Sequence, residues 1–217
     1  MQALGILGGT FDPIHFGHLR IAQELAEGLA LDEVRFIPAA RPPHRAEPDG
    51  AAVHRAEMVR RAISGNPYFS IDMREFGREG PSYMIDTLAS LRAELGVEVP
   101  IYLIVGADAF LSLSTWHRWQ ELFDMVHIAV AHRPGHVLDT SNPLMRPAMR
   151  SEWRHRYCET MPESAAGSIL SCDVAALDIS SSAIRKILSH GHSPRYLLPD
   201  AVLDYILEHQ LYQSGNA

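Results

Sequence analysis

The stretch that most constrains the fold is residues 3–18, ALGILGGTFDPIHFGH. Leu4, Ile6 and Leu7 make a short apolar run that stops at Gly8-Gly9, as a buried parallel strand does. A polar turn follows, with Thr10 and Asp12 as turn formers and Pro13 fixing φ. From Gly17 the apolar period lengthens, and Leu19, Ala22, Leu25, Ala26 and Leu29 mark one helical face. Strand, glycine turn and helix in that order aim backbone N–H groups and the positive end of a helix at an anion. His15 and His18 stand three residues apart at the helix entrance, so both imidazoles lean over the same spot. Such donors suit phosphate oxygens. The string is neither GxxxxGK[ST] nor GxGxxG, and the histidine pair is equally compatible with a helix cap, a surface position or half of a zinc site.

Downstream, apolar runs alternate between the two periods. Residues 34–37 read as a strand stopped by Pro38, and Ala52, Ala56, Val59 and Ile63 mark a helix. Residues 69–73 read as a strand, and Ser82 is the candidate N-cap of a helix with Met84, Leu88, Leu91 and Leu95 as its buried stripe. Residues 101–105 are continuously apolar, as expected of a central parallel strand, and end in Gly106-Ala107-Asp108. A helix carrying Trp116 and Trp119, a strand over 127–131, and a last strand over 168–176 follow. Residues 136–167, with a basic patch of Arg146, Arg150, Arg154 and Arg156, have no firm periodicity. Residues 178–182 form a capping cluster for a helix with Ile184, Ile187 and Leu188, and Pro199-Asp200 opens one with Val202, Leu203, Ile206 and Leu207. This alternation predicts an α/β fold, Rossmann-like, with a mainly parallel sheet, helices on both faces and a small C-terminal helical part. One domain over 1–217 is expected, with a core over 1–178 and C-terminal helices over 179–217.

Net charge narrows the ligand. At −7, with basic residues scattered, the chain lacks the stripe that a nucleic-acid binder carries. Phosphate binding is then local, which favours a small nucleotide over a polymer. No apolar run reaches the roughly 18 residues of a membrane span, and since the sequence reads as opening on a strand, no signal peptide is expected. Cys158 and Cys172 fit no metal or redox spacing, so a cytoplasmic location is expected. The loop 39–50, AARPPHRAEPDG, has the length and charge of a binding loop. Arg185 sits early in its helix, where a cation opposes the dipole; a bound anion would resolve that, and a solvated surface position is the alternative.

GGTFDPIHFGH resembles the GGTFDPxHxGH signature of the nucleotidyltransferases that transfer adenylyl and cytidylyl groups on a Rossmann-like sheet. ISSSAIR at 179–185 is similar to their ISSTxIR motif, with Ser182 where threonine is usual. Four further segments resemble the nicotinate mononucleotide adenylyltransferases: PPHR at 42–45, PSYMIDTL at 81–88, GADAFLSLSTW at 106–116 and RPG at 133–135. Two departures stand out, Met84 in place of threonine and Ala39-Ala40 where asparagine is frequent.

The resemblance implies transfer of an adenylyl group from ATP to nicotinate mononucleotide, giving nicotinic acid adenine dinucleotide and pyrophosphate; nicotinamide mononucleotide or another phosphomonoester is the alternative acceptor. It implies that His18, His15 and Arg185 are catalytic. Gly8, Gly9, Thr10, Phe11, Gly106, Asp108, Ile179 and Ser181 would join them in binding ATP. His44, Arg45, Ser82, Tyr83, Met84, Trp116 and Arg133 would bind the mononucleotide, with Trp116 stacked on the pyridine ring. Mg²⁺ would be bound through the ATP phosphates, and no metal through the protein itself. No nucleic-acid or membrane partner is expected, and a homo-oligomer is compatible with the sequence.

Overall fold

The computed structural model describes residues 3–43, 48–133, 138–175 and 177–213. Among these, six strands form one all-parallel sheet, β1 (Leu4–Gly9), β2 (Glu33–Pro38), β3 (Phe69–Ile71), β4 (Ile101–Gly106), β5 (His127–His132) and β6 (Ile169–Asp173). Their spatial order is β3-β2-β1-β4-β5-β6. The chain therefore winds outward from β1 in one direction, returns, and winds outward from β4 in the other. The switch point between β1 and β4 is where such sheets place ligands, beyond the carboxyl ends of the strands.

Register sharpens this. β1 pairs with β2 along its whole length, to Gly9↔Pro38, but with β4 only from Leu4↔Ile101 to Ile6↔Leu103. Beyond Ile6 the two central strands part, and a crevice opens between Gly8-Gly9 on one side and Gly106 on the other. Pro38 closes β2 from within rather than stopping it from outside, because a terminal strand position tolerates the missing donor.

β1 and β4 carry no charged residue and β5 is apolar over 128–131, as strands covered on both faces are, while β2, β3 and β6 admit Glu33, Arg35, Ser70, Ser171 and Asp173. Leu4, Ile6, Leu103 and Ile128 face one core with α3 (Met84–Leu95), α4 (Ala107–Ser112) and α5 (Pro147–Arg156). Leu7, Tyr102, Ile104 and Ala129 face the other with α1 (Phe16–Gly28), α2 (Ala52–Ile63), α6 (Ser181–Ser189) and α7 (Asp200–Glu208). No helix among the described residues is long and apolar enough to cross a membrane.

Several local expectations are corrected. Ser82 does not cap α3; its hydroxyl accepts from Arg41 N at 3.0 Å and its own N–H donates to Arg41 O at 2.9 Å, and Tyr83 takes the cap position. Trp116 and Trp119 do not share a helix: α4 ends at Ser112, and tight turns over Leu113–Thr115 and Trp119–Asp124 follow. Within α3 the buried positions are Ile85, Thr87, Leu88 and Leu91, so Met84 and Leu95 lie at the rim, and Leu207 of α7 faces solvent. The aperiodic segment holds α5, and two of its arginines bind neighbouring parts of the chain. Arg156 lies over the Phe123 ring at 4.6 Å and donates to Gly167 O, and Arg150 donates to Asn142 O.

Candidate active site

The turn after β1 carries the site. Gly9 lets the Phe11 ring fold back against the strand end; a Cβ there would lie 3.0 Å from that ring. Phe11 has φ of 49° and is buried, with its ring edge-on to His18 at 5.2 Å. Its side chain is thus a wall behind His18, which leaves only its backbone to a nucleotide. His15 is the N-cap of α1 and His18 lies in its first turn, and the two rings stack at 3.8 Å. His15 N–H donates to His18 Nδ1 at 3.3 Å. A neutral His18 accepting there carries its proton on Nε2, as a donor. Gly17 answers a second spatial demand: a Cβ would press on His15 Cε1 and Nδ1 at 3.0 Å. The stacked pair needs that glycine between its members.

Burial pushes the His15 imidazolium's pKa down from 6.5 to about 4, so the ring is neutral near pH 7. Between about pH 6.5 and about 4 the unfolded chain binds a proton that folded His15 refuses, so this residue's contribution makes stability fall as pH falls. Replacing His15 with glutamine should flatten the pH dependence of the unfolding free energy in that window, by up to ~1.4 kcal/mol per pH unit. Denaturant melts at three pH values measure the difference; identical slopes in wild type and His15→Gln would contradict a neutral buried ring.

α6 meets this turn directly. Its N-cap, Ser180, accepts from Ala183 N at 3.2 Å, which fixes the helix start. Ser181 Oγ then donates to Pro13 O at 2.9 Å, and Arg185 Nη1 donates to Asp12 O at 2.8 Å. Ile179 O lies 3.7 Å from where a Gly17 Cβ would stand. Gly8, Gly9, Thr10, Phe11, His15, His18, Ile179, Ser181 and Arg185 are therefore brought together. Arg185 does not face the helix dipole uncompensated: its guanidinium already has protein counter-charges, the Asp49 carboxylate in direct contact with Nε and the Asp12 carboxylate 3.8 Å from Nη1.

The other substrate-side positions flank this group. Met84 begins α3 with its methyl over the glycine turn, 2.4 Å from where a Gly8 Cβ would lie. The Tyr83 ring lies against His117 at 4.3 Å, tilted by 30°. Gly106 caps α4 across the crevice, with Asp108 exposed in its first turn. Trp116 packs at the rim of the core that α3, α4 and α5 share and is half-buried. Arg133 pairs with Asp178 at 2.8 Å, next to Ile179. His44 and Arg45 lie outside the described residues. Among the described residues no three His, Cys, Asp or Glu side chains are grouped to hold a metal ion, so the zinc alternative for His15 and His18 finds no further ligands there.

Asp12, read in the sequence only as a turn former, and three residues unremarked there, Asp49, Arg55 and Tyr212, complete the turn. Asp12 is buried, and its carboxylate accepts from Asp49 N, Gly50 N and the Tyr212 hydroxyl. Arg55, fully buried on α2, donates to Thr10 O at 2.6 Å and to Gly50 O at 3.0 Å, and burial lowers its pKa. The signal available for Arg55 was a charged residue beside the apolar stripe of α2. Asp49 and Tyr212 carried none.

With that geometry in place, its likenesses can be set beside it. The cytidylyltransferase-like family model matches residues 6–187. A probable nicotinate-nucleotide adenylyltransferase of Dechloromonas aromatica is 47% identical, over 99% of each chain. One of Pseudomonas aeruginosa is 44% identical over 98% of each. Among solved structures, the Plasmodium falciparum nicotinic acid mononucleotide adenylyltransferase complexed with NaAD superposes with a TM-score of 0.73 at 17% identity, covering 98% of both chains. That last likeness concerns the fold.

Proposed function

The chain belongs to the cytidylyltransferase-like family and, within it, to the nicotinate-nucleotide adenylyltransferases, and from that premise we propose that it joins ATP to nicotinate mononucleotide, releasing pyrophosphate. The observation that carries the site assignment is the meeting of the two motifs: Ser181 and Arg185 hydrogen-bond to the same turn that presents the stacked His15 and His18. One end of that turn offers imidazole N–H donors and the other a guanidinium, about as an α-phosphate and a leaving pyrophosphate require.

The nucleophile is the mononucleotide's phosphate, whose second pKa of about 6 leaves it ionised at pH 7. No general base is needed. The chain's task is to hold attacking oxygen and α-phosphorus in line and to stabilise the charge that develops. We assign His18 to the α-phosphate, with His15 fixing its ring and the Gly8, Gly9, Thr10 and Phe11 backbone lining the turn. Arg185 and Ser181 take the departing pyrophosphate, with Ile179, Gly106 and Asp108 completing the ATP subsite. Trp116 stacks on the pyridine ring, with Tyr83, Met84, Ser82, His44, Arg45 and Arg133 on the mononucleotide side. N–H donors and imidazoles suit phosphate oxygens, so Mg²⁺ is assigned to the ATP phosphates, whose hard oxygens it prefers, and there it would neutralise charge. The whole chain, 1–217, acts as one unit, its core and its C-terminal helices meeting at Arg185. A cytoplasmic location suits the two free thiols, Cys158 and Cys172.

The acid mononucleotide is the preferred acceptor. Met84 and Ile85 are the first helical residues of α3 and have no acceptor within the helix, so their N–H groups and the helix dipole favour a carboxylate over a carboxamide. Charge-assisted bonds are roughly twice as strong as neutral ones, and an amide NH₂ facing these donors would leave groups unpaired. Because the donors are backbone, Met84→Thr should change acid-over-amide selectivity by less than about tenfold, or 1.4 kcal/mol. The experiment is kcat/KM for both mononucleotides in wild type and variant. Equal use of acid and amide by the wild type would contradict the assignment.

A further inference from the structure

Tyr212 lies four residues beyond the end of α7 and 200 positions from Asp12, yet its hydroxyl donates to Asp12 Oδ1 at 2.7 Å. Its backbone is left-handed, with φ of 62°, which turns the ring inward from the helix end. Burial and the Asp12 charge raise its pKa, so the hydroxyl keeps its proton and donates. The same Oδ1 accepts from Gly50 N at 3.0 Å, and Oδ2 accepts from Asp49 N at 3.0 Å. The fit is close: a Cβ on Gly50 would stand 2.7 Å from both the Tyr212 hydroxyl and Asp12 Oδ1. Three neutral donors thus satisfy the Asp12 carboxylate. It stays 3.8 Å from Arg185 Nη1, which instead donates to the Asp12 carbonyl at 2.8 Å.

We infer that Tyr212 is a positioning residue of the ATP subsite: by holding Asp12 Oδ1 it keeps Oδ2 from closing on Arg185 Nη1, so that no second carboxylate joins the Asp49 contact on Nε and the outer face of the guanidinium is left to a phosphate anion. Without the hydroxyl, Oδ1 keeps Gly50 N but loses the shortest of the bonds that fix the carboxylate's orientation, and Oδ2, 3.8 Å from Arg185 Nη1, lies only a few tenths of an ångström beyond hydrogen-bond range of the guanidinium. A direct Asp12–Arg185 pair would then compete with the triphosphate. The mononucleotide, bound on the far side of the crevice, would not feel this competition.

The inference rests on the adenylyl-transfer reading, and turnover of the wild type with ATP and nicotinate mononucleotide tests that reading separately. Given turnover, Tyr212→Phe should raise KM for ATP about tenfold, the scale of one hydrogen bond to a charged group, with kcat and the mononucleotide KM within about twofold. In an Arg185→Ala background the same change should add nothing, because the residue acts through Arg185. An unchanged KM for ATP in Tyr212→Phe, equal rises for both substrates, or full additivity with Arg185→Ala would each overturn the inference. So would loss of cooperative melting in Tyr212→Phe, which would make the hydroxyl a folding element.

Discussion

His18→Ala should lower kcat by about 100- to 1000-fold, corresponding to roughly 2.7–4 kcal/mol of transition-state stabilisation, the scale of one charge-stabilising donor lost from a preorganised site. The fold should survive. His18 is half-buried at the mouth of the crevice, and the wall behind it is built by Phe11, which packs independently against Phe36 at 5.9 Å. Two features make the loss large. The ring is held on one face by the neutral His15 and edge-on by Phe11, so its donor is oriented before substrate arrives. His15 cannot substitute, since its ring is buried and pressed against Gly17. Thermal melting together with steady-state turnover checks the expectation; near-normal turnover in a folded His18→Ala chain would remove this residue from the chemistry.

Arg185→Ala comes second in size. Removing the guanidinium should lower kcat/KM for ATP by about 10- to 100-fold, as the loss of charge-assisted bonds worth about 1.5–3 kcal/mol implies. The mononucleotide KM should change little. Asp12 would not be stranded, because its carboxylate keeps donors from Asp49, Gly50 and Tyr212, and Asp49 is exposed to water. Arg185→Lys should recover only part of the loss: an ammonium cannot reach the Asp12 carbonyl and an anion with one planar fork. Kinetics with each substrate varied in turn decide the matter. Equal losses toward both substrates would move Arg185 out of the triphosphate subsite.

The parts of the site that could be read ahead of the structure are those whose signals are local. A run of apolar residues ending in Gly8-Gly9, and His15 and His18 at one helix entrance, report directly on a strand end and a helix start. The sheet follows because β4 and β5 carry unbroken apolar runs over 101–105 and 128–131, which a two-sided core requires. What escaped notice depends on partners distant in sequence. Arg55 sits beside an apolar stripe that reads as plain core, and only the fold reveals that its donors reach Thr10 and Gly50. Asp12 looks like a turn former, and it is one, but its carboxylate is gripped by Tyr212, which carries no motif of its own. Ser82 misled for a related reason: a serine ahead of an apolar run reads as a cap, whereas tertiary pairing with Arg41 uses both its hydroxyl and its N–H. α5 stayed hidden because six of its ten residues are polar or charged and its buried face consists of Met149 and Trp153 alone.

The central claim is that this crevice transfers an adenylyl group and releases pyrophosphate intact. Its most direct test is the product balance of the purified protein given ATP, Mg²⁺ and nicotinate mononucleotide, followed by chromatography and a pyrophosphate assay. The account predicts one pyrophosphate for each nicotinic acid adenine dinucleotide formed, with neither product appearing when the mononucleotide is left out. Release of ADP and inorganic phosphate instead, or a dinucleotide yield that does not match the pyrophosphate, would contradict it.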